Sequence, residues 1–202
     1  MSDITILGIF VADISFSGNK LPSTGETILG DSYNIGPGGK GCNQAIAISR
    51  LGGNVNFISK LGNDDYGKLA IDKLKKNNID ISNIIISNEH KTGVAGIHVD
   101  RNTGKNAITV VRGAPSSLTV KEIDTKLIKQ SKIFLTQLET PKEATLYALK
   151  KAKEIGCITI LNPAPASSIP EEYFQHIDFF TPNETEASFY LNKNIENENA
   201  VS

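Results

Sequence analysis

Apolar residues follow two kinds of pattern along most of the chain. Nearly continuous apolar runs, first at residues 4–12 (ITILGIFVA) and later in IFLTQLE and CITILN, predict strands that are buried on both faces. Segments with apolar residues at helical spacing lie between such runs, for example residues 43–51. This alternation predicts an α/β fold with a mostly parallel sheet that is covered by helices.

Several strand-like segments do not fit the alternation. ISFSG and ILGDSYNI flank a turn-rich stretch, and GVAGIHVD and NAITVVRG flank the turn RNTGK, as in a β-hairpin. These four segments predict a small sheet that is separate from the parallel one.

Two helix starts are predicted by capping-box patterns. Thr119 with Glu122 predicts a helix that runs to about residue 132. Thr140 with Glu143 predicts a second helix that runs to about residue 155, with Pro141 at its first helical position.

Composition narrows the classes of function. The 202 residues carry a formal net charge of −1, which argues against a nucleic-acid partner, and no apolar run is long enough for a membrane span. Cys42 and Cys157 form no C-x-x-C pair, and the three histidines show no metal-ligand spacing. We therefore expect a cytoplasmic protein with free thiols, without a membrane or nucleic-acid partner.

Four glycines, one proline and one lysine occupy residues 36–41, directly before a predicted helix. The pattern matches neither a P-loop nor a dinucleotide fingerprint. Consecutive glycines let backbone amides approach a ligand, and a helix N-terminus favours oxygen-rich groups. Lys40 adds a cation, and Asn43 offers a donor and an acceptor for a hydroxyl. A hinge followed by a helix cap is the alternative interpretation.

Four other polar residues are candidates for the same site. Asp13 follows the first strand and could bind a diol, or it could be a turn residue. Glu139 ends a parallel strand, where α/β sheets place ligands, or it could be a charge at a helix entry. Asn183 and Glu186 could bind a ligand, but their spacing is also that of a capping box.

Taken together, these segments resemble the ribokinase family of carbohydrate kinases, the phosphofructokinase-B superfamily. The stretch LPSTGETILGDSYNIGPGGKGCNQAIAISRLGG is similar to the first signature of that family. GVAGIHVD, LTQLETP, LNPAPA and TPNETEA follow in the expected order, so that the resemblance covers residues 4–191.

The resemblance implies a fold and a domain division. The expected fold is a ribokinase-like three-layer α/β/α domain with a small β-sheet lid. The α/β core would comprise residues 1–9, 38–92 and 113–202, and the lid residues 10–37 and 93–112. Lids of this kind often pair, so a homodimer is expected.

The resemblance also implies a reaction. The family transfers the γ-phosphoryl group of ATP to a sugar hydroxyl with Mg²⁺, often with K⁺ as activator. D-ribose, giving ribose 5-phosphate, is the first candidate substrate. Asn183 would lie near the ATP phosphates, and Glu186 would organise Mg²⁺ and phosphate without being a direct metal ligand. The residues that would bind the sugar are Asp13, Gly39, Lys40, Gly41, Cys42, Asn43 and Glu139.

Two departures from the family pattern affect these expectations. Val11 stands where the family usually has an asparagine, so another sugar or a nucleoside is an alternative substrate. The G-A-G-D loop, which carries the general-base aspartate, is absent from the 202 residues. We expect the chain to be the N-terminal two-thirds of a kinase, with no catalytic base before Ser202 and no turnover alone. A non-catalytic sugar-binding or regulatory remnant, and a split enzyme completed by a second chain, are the alternatives.

Overall fold

The computed structural model describes residues 3–195 and contains two sheets and five α-helices within that range. The strands are β1 (Ile4–Leu7), β2 (Val11–Gly18), β3 (Ser32–Gly38), β4 (Val55–Gly62), β5 (Ile84–Ser87), β6 (Thr92–Asp100), β7 (Asn106–Gly113), β8 (Ile133–Gln137), β9 (Ile158–Asn162) and β10 (Phe179–Phe180). The helices are α1 (Lys40–Arg50), α2 (Asp65–Lys76), α3 (Thr125–Ile128), α4 (Lys142–Ile155) and α5 (Glu184–Leu191).

The larger sheet has the order β10-β9-β8-β1-β4-β5, and all of its neighbouring strands are parallel. This confirms the predicted α/β fold. After β1 the chain builds the sheet outwards through β4 and β5, and it later returns to the other side of β1 with β8. The boundary between β1 and β8 is therefore a topological switch point, where α/β sheets open a crevice at the carboxyl ends of their strands.

The smaller sheet has the order β3-β2-β6-β7 and confirms the predicted separate sheet. Its strands are mixed: β2 pairs antiparallel with β3 but parallel with β6, and β6 and β7 form the predicted hairpin. Whether this sheet moves as a lid, with the domain boundaries given above, remains a prediction.

The apolar core lies on both faces of the larger sheet. On one face, α1 and α2 pack through Ala45, Ala70 and Leu74 against Phe57. On the other face, α4 packs against Phe134 and neighbouring residues. The two clusters make this part of the fold three-layered. No helix among residues 3–195 is long and apolar enough to cross a membrane.

Three strand predictions were wrong in extent, and one strand was not predicted. The run at residues 4–12 forms two strands, because the chain leaves the larger sheet after Leu7 and enters the smaller one at Val11. The strand in ILGDSYNI begins only at Ser32. The apolar run in IDFFTPN also predicts a strand, but only the two-residue strand β10 forms there. The segment IIIS forms β5, which we did not expect from the sequence.

The two predicted capping boxes also had different outcomes. Thr119 and Glu122 form one, but it opens a 3-10 turn, and α3 follows with Asp124 as its own cap. Leu118, Ile123 and Ile128 are all buried at intervals of five residues, and one continuous helix would place them on different faces.

The predicted box at Thr140 does not form. Pro141 is the N-cap of α4, without a side-chain hydrogen bond. The hydroxyl of Thr140 lies 2.6 Å from that of Thr145 instead. The predicted end of α4 near residue 155 is confirmed.

Candidate active site

The glycine-rich stretch ends at the first turn of α1. Gly39 is the N-cap residue and has a φ of +90°, a region that favours glycine. A Cβ atom at this position would also overlap the carbonyl oxygen of Ile9. The site therefore needs a glycine here for two reasons, backbone conformation and close packing against the link between β1 and β2.

Helix α1 is capped by a residue that is distant in sequence. Its N-cap has no side-chain hydrogen bond, and its first turn contains no acidic residue. Instead, the backbone amide of Lys40 donates to Glu139 Oε2 over 2.8 Å, and Lys40 Nζ lies 3.4 Å from Glu139 Oε1. The Glu139 side chain is 12% exposed. Glu139 thus brings a carboxylate from the end of β8 to the positive end of the helix.

Asp13 lies on β2, opposite the glycines that precede α1. A Cβ atom on Gly38 would overlap its carboxylate, so the glycine makes room for that group. Burial raises the pKa of Asp13, and the nearby charge of Glu139 raises it further. The Asp13 carboxylate has no hydrogen bond to any of residues 3–195, and it is therefore able to accept hydroxyl groups of a ligand.

Beside Asp13, β6 and β7 present apolar residues on the same face of the smaller sheet. Ala95 is paired with Asp13 on β6, and Val110 is paired with Ala95 on β7. Ile97 and Ile108 are paired two residues further along these strands. They lie on the same face, since side chains alternate along a strand. Sequence reasoning assigned none of these four residues to the site.

Gly41 and Cys42 lie in the first turn of α1, on the side of the helix that faces the core. Both are buried, and Cys42 belongs to the core cluster under the helix. The Cys42 amide donates to the carbonyl of Ile9 over 3.3 Å, and burial raises the pKa of its thiol to about 12. Neither residue lines the cleft described below, so their contribution to binding would be through the position of the helix.

A cleft of about 490 Å³ lies between the first turns of α1 and α5. Four of its residues were predicted from the sequence, namely Lys40, Asn43, Asn183 and Glu186. Five others line it as well: Gln44, Asn162, Ala164, Thr181 and Pro182. The structure therefore brings the glycine-rich stretch and the pair Asn183 and Glu186 to one cleft, although they are about 140 residues apart in sequence.

Asn183 and Glu186 form the capping box that their spacing predicts. The Glu186 amide donates to Asn183 Oδ1 over 2.8 Å, and the Asn183 amide donates to Glu186 Oε2 over 2.9 Å. Within the described chain, Glu186 Oε1 and Asn183 Nδ2 make no hydrogen bond. The cap therefore leaves one acceptor and one donor group that can act on a ligand, a metal-bound water or a phosphate.

Asn162 and Thr181 connect the two neighbouring strand ends at this cleft. Asn162 Nδ2 donates to the Thr181 carbonyl over 3.0 Å, just before the turn that leads to Asn183. The sequence contained a signal for Asn162 in LNPAPA, but no role could be assigned to it without the neighbouring strand. Among residues 3–195 no group of three or more His, Cys, Asp or Glu side chains could hold a metal ion.

Comparison with known proteins decides the family. The family model described as "pfkB family carbohydrate kinase" matches residues 1–202. The chain belongs to the pfkB family of carbohydrate kinases.

Relatives of this pfkB chain include known ribokinases. The chain is 38% identical over 201 residues to the ribokinase of Haemophilus influenzae, covering 98% of this chain and 65% of that protein. It is 37% identical over 205 residues to a bifunctional ribokinase/ribose-5-phosphate isomerase A of Fructilactobacillus sanfranciscensis, covering all of this chain and 38% of that protein.

A solved structure agrees with the fold. Arabidopsis thaliana ribokinase, solved in complex with ribose and ATP, matches with a TM-score of 0.88 at 29% identity, covering 98% of this chain and 65% of the other. The pfkB chain thus spans about two thirds, or less, of the length of these relatives.

Proposed function

We propose that this chain carries the sugar-binding part of an ATP-dependent sugar kinase, with D-ribose as its substrate and ribose 5-phosphate as its product. The observation that carries this proposal is the cleft that joins Lys40 and Asn43 to Asn183 and Glu186. Phosphoryl transfer depends mainly on alignment and on neutralisation of charge, and this cleft places polar groups for both reactants side by side.

The sugar would bind at the first turn of α1. Asp13 and Glu139 would accept hydrogen bonds from its hydroxyls, and Lys40 and Asn43 would donate to it. Ala95 and Val110, on the Asp13 face of the smaller sheet, would cover the ring carbons. Gly39, Gly41 and Cys42 would hold the helix in place. The complex of the Arabidopsis relative with ribose and ATP supports this choice of ligands.

The nucleotide would approach from α5. Asn183 would lie near the ATP phosphates, and Glu186 Oε1 would accept a hydrogen bond from a water bound to Mg²⁺, an ion that typically keeps several of its waters. Mg²⁺ would neutralise phosphate charge during transfer. K⁺ as an activator follows from the resemblance alone.

Residues 1–202 contain no G-A-G-D segment, the loop that carries the general-base aspartate in the family that the sequence resembles. We therefore propose that these residues bind sugar but do not turn over by themselves. Val11 is 3% exposed and packs with Ile9 and Ala95, so its side chain offers the sugar no polar group. Another sugar or a nucleoside therefore remains the alternative substrate, and a non-catalytic sugar-binding role remains the alternative function.

Exposed apolar residues on the smaller sheet support a proposal that two copies of the chain associate through this sheet. Phe16 (43% exposed), Tyr33 (71%) and Val111 (58%) lie on the face opposite to Asp13. We propose that this face forms a homodimer, with molar mass by light scattering as its test. A cytoplasmic location is proposed on the composition alone.

The experiment that tests the function is a titration of the purified chain with D-ribose by calorimetry. We expect saturable binding, which Lys40→Met weakens by roughly tenfold or more through loss of a charged donor. Lys68→Met, which removes an exposed lysine on α2, is the matched control and should leave the affinity unchanged. The absence of D-ribose binding at millimolar concentration would contradict the proposal. ADP release that depends on ribose would contradict only the proposed lack of turnover.

A further inference from the structure

One buried polar atom next to the cleft has no hydrogen-bond partner. Gln137 is 1% exposed, and its Oε1 atom makes no hydrogen bond to any of residues 3–195. A buried amide oxygen without a partner lowers the stability of a protein, so such an atom requires a physical explanation.

The other half of the same amide contacts α1. Gln137 is the last residue of β8 and lies on the same strand face as Leu135, which packs under α1. Its Nε2 atom donates to Gln44 Oε1 over 2.5 Å. A polar side chain thus takes the last place in an otherwise apolar row, where the strand meets the first turns of the helix.

Two contacts between β8 and α1 are in register with each other. Gln44 follows Lys40 by one helical turn, and Glu139 follows Gln137 by two residues. Glu139 binds the Lys40 amide, and Gln137 binds Gln44. Together the two contacts fix the position of α1 along its axis and its rotation about that axis, relative to β8. The rotation decides whether Asn43 faces the cleft.

Two glycines surround the unpaired oxygen. A Cβ atom on Gly8 would lie 2.6 Å from Gln137 Oε1, and a Cβ atom on Gly41 would lie 2.9 Å from it. The Cβ atom on Gly8 would also lie 2.7 Å from the Cα atom of Gly41. The side chain of Gln137 therefore fills a space that is open only because both positions are glycine.

We propose that Gln137 and Gln44 are positioning residues of the sugar site: their amide bridge holds the first turns of α1 against the end of β8, so that Lys40 and Asn43 face the cleft. The ligand in this inference rests on the proposed function. The bridge itself rests on the contacts above. The unpaired Oε1 atom is a consequence of the bridge, because the Nε2 donor that binds Gln44 belongs to the same buried amide.

The variant Gln137→Met separates positioning from simple stabilisation. Methionine has a similar volume but removes both the bridge and the unpaired oxygen, so we expect the thermal midpoint to stay the same or to rise. We expect the affinity for D-ribose to fall roughly tenfold, as for the loss of one well-placed hydrogen bond. Gln44→Met should have the same effect on affinity, and the double variant should be no weaker than either single variant. Unchanged affinity, or additive losses in the double variant, would overturn the inference.

Hydrogen exchange gives a readout that does not depend on the sugar. In the wild-type chain the Lys40 amide is protected by Glu139, and in Gln137→Met we expect it to exchange about tenfold faster. The amide of Leu149, in the middle of α4, is the internal control and should not change. If D-ribose fails to bind the wild type, the proposed function is wrong. If the exchange of Lys40 is unaffected by the substitution, the positioning role is wrong.

Discussion

The carboxylate of Glu139 accepts a hydrogen bond from the backbone amide of Lys40 over 2.8 Å, although 99 residues separate them. The contact gives α1 the cap that its own sequence lacks. It also holds the Glu139 carboxylate beside Lys40, which lines the cleft. A ligand hydroxyl that bound both groups would meet them already oriented, which reduces the entropy lost on binding.

Glu139→Ala should therefore destabilise the fold even without ligand. Loss of the cap should lower the free energy of unfolding by about 1 to 2 kcal/mol, and Glu139→Gln, which keeps an acceptor, should lower it by about half as much. Urea denaturation at pH 7 is the measurement. Glu143→Ala, an exposed change in the first turn of α4, is the control. A loss for Glu139→Ala no larger than that of the control would show that the cap contributes nothing.

A side chain at Gly39 would face two obstacles, a left-handed backbone conformation and a lack of space. Gly52 has the same backbone conformation without the lack of space, so a comparison of the two positions separates the effects. Both have a φ of +90°, but nothing lies within 4 Å of a Cβ atom at Gly52. We expect Gly52→Ala to lower the free energy of unfolding by about 1 to 2 kcal/mol from backbone strain alone. Gly39→Ala should cost clearly more, because its methyl group would overlap the Ile9 carbonyl. Thermal unfolding of the two variants compares them directly, and equal costs would mean that the packing at Gly39 is not tight.

The raised pKa of Asp13 predicts a pH-dependent effect of its removal. Because the folded state binds this proton more tightly than the unfolded state, whose pKa is near 3.8, ionised Asp13 destabilises the fold above that pH. Asp13→Asn should therefore become more stable relative to the wild type as the pH rises from 3.5 to 7. Urea unfolding at several pH values gives the difference. A difference that shrinks with rising pH would contradict the assignment.

The sequence predicted the parts of the site that depend on local patterns. The capping box of Asn183 and Glu186 is set by a spacing of three residues, and the order of strands and helices follows from hydrophobic periodicity. The long helix expected after Thr119 failed because burial of Leu118, Ile123 and Ile128 in the core overrode the local cap.

The contact between Gln137 and Gln44 could not be predicted from the sequence at all. It joins the end of a strand to a helix 93 residues earlier, and only the pairing of the strands brings them together. Likewise, the position of Asn162 in the cleft depends on β10 lying beside β9. Local signals thus identified the motifs that end in Asn43 and begin at Asn183, whereas the residues that hold these motifs required the fold.

Asp64 joins the core to the base of the smaller sheet. Its Oδ1 atom accepts from the Gly67 amide, as the cap of α2, and its Oδ2 atom accepts from the Thr92 amide at the start of β6, each over 2.8 Å. The Thr92 hydroxyl in turn accepts from the Gly62 amide over 2.9 Å. Partial burial of Asp64 raises its pKa, but the hydrogen bonds from the Thr92 and Gly67 amides outweigh this effect. The pKa of Asp64 therefore lies below the ordinary value of 3.8.

Asp64→Asn should loosen this joint, because an amide has one acceptor atom where the carboxylate uses two. We expect the free energy of unfolding at pH 7 to fall by about 1 to 2 kcal/mol. The lowered pKa means that the contribution of the carboxylate is present above pH 3.8 and is lost as the pH falls through the folded-state pKa. The wild type and the variant should therefore converge in urea unfolding at acidic pH. As the pH rises, Asp64→Asn should lose stability relative to the wild type, whereas Asp13→Asn should gain it. Asp72→Asn, in the middle of α2, serves as the control, and a gap for Asp64→Asn that persists or widens in acid would show that its effect does not come from the ionised carboxylate.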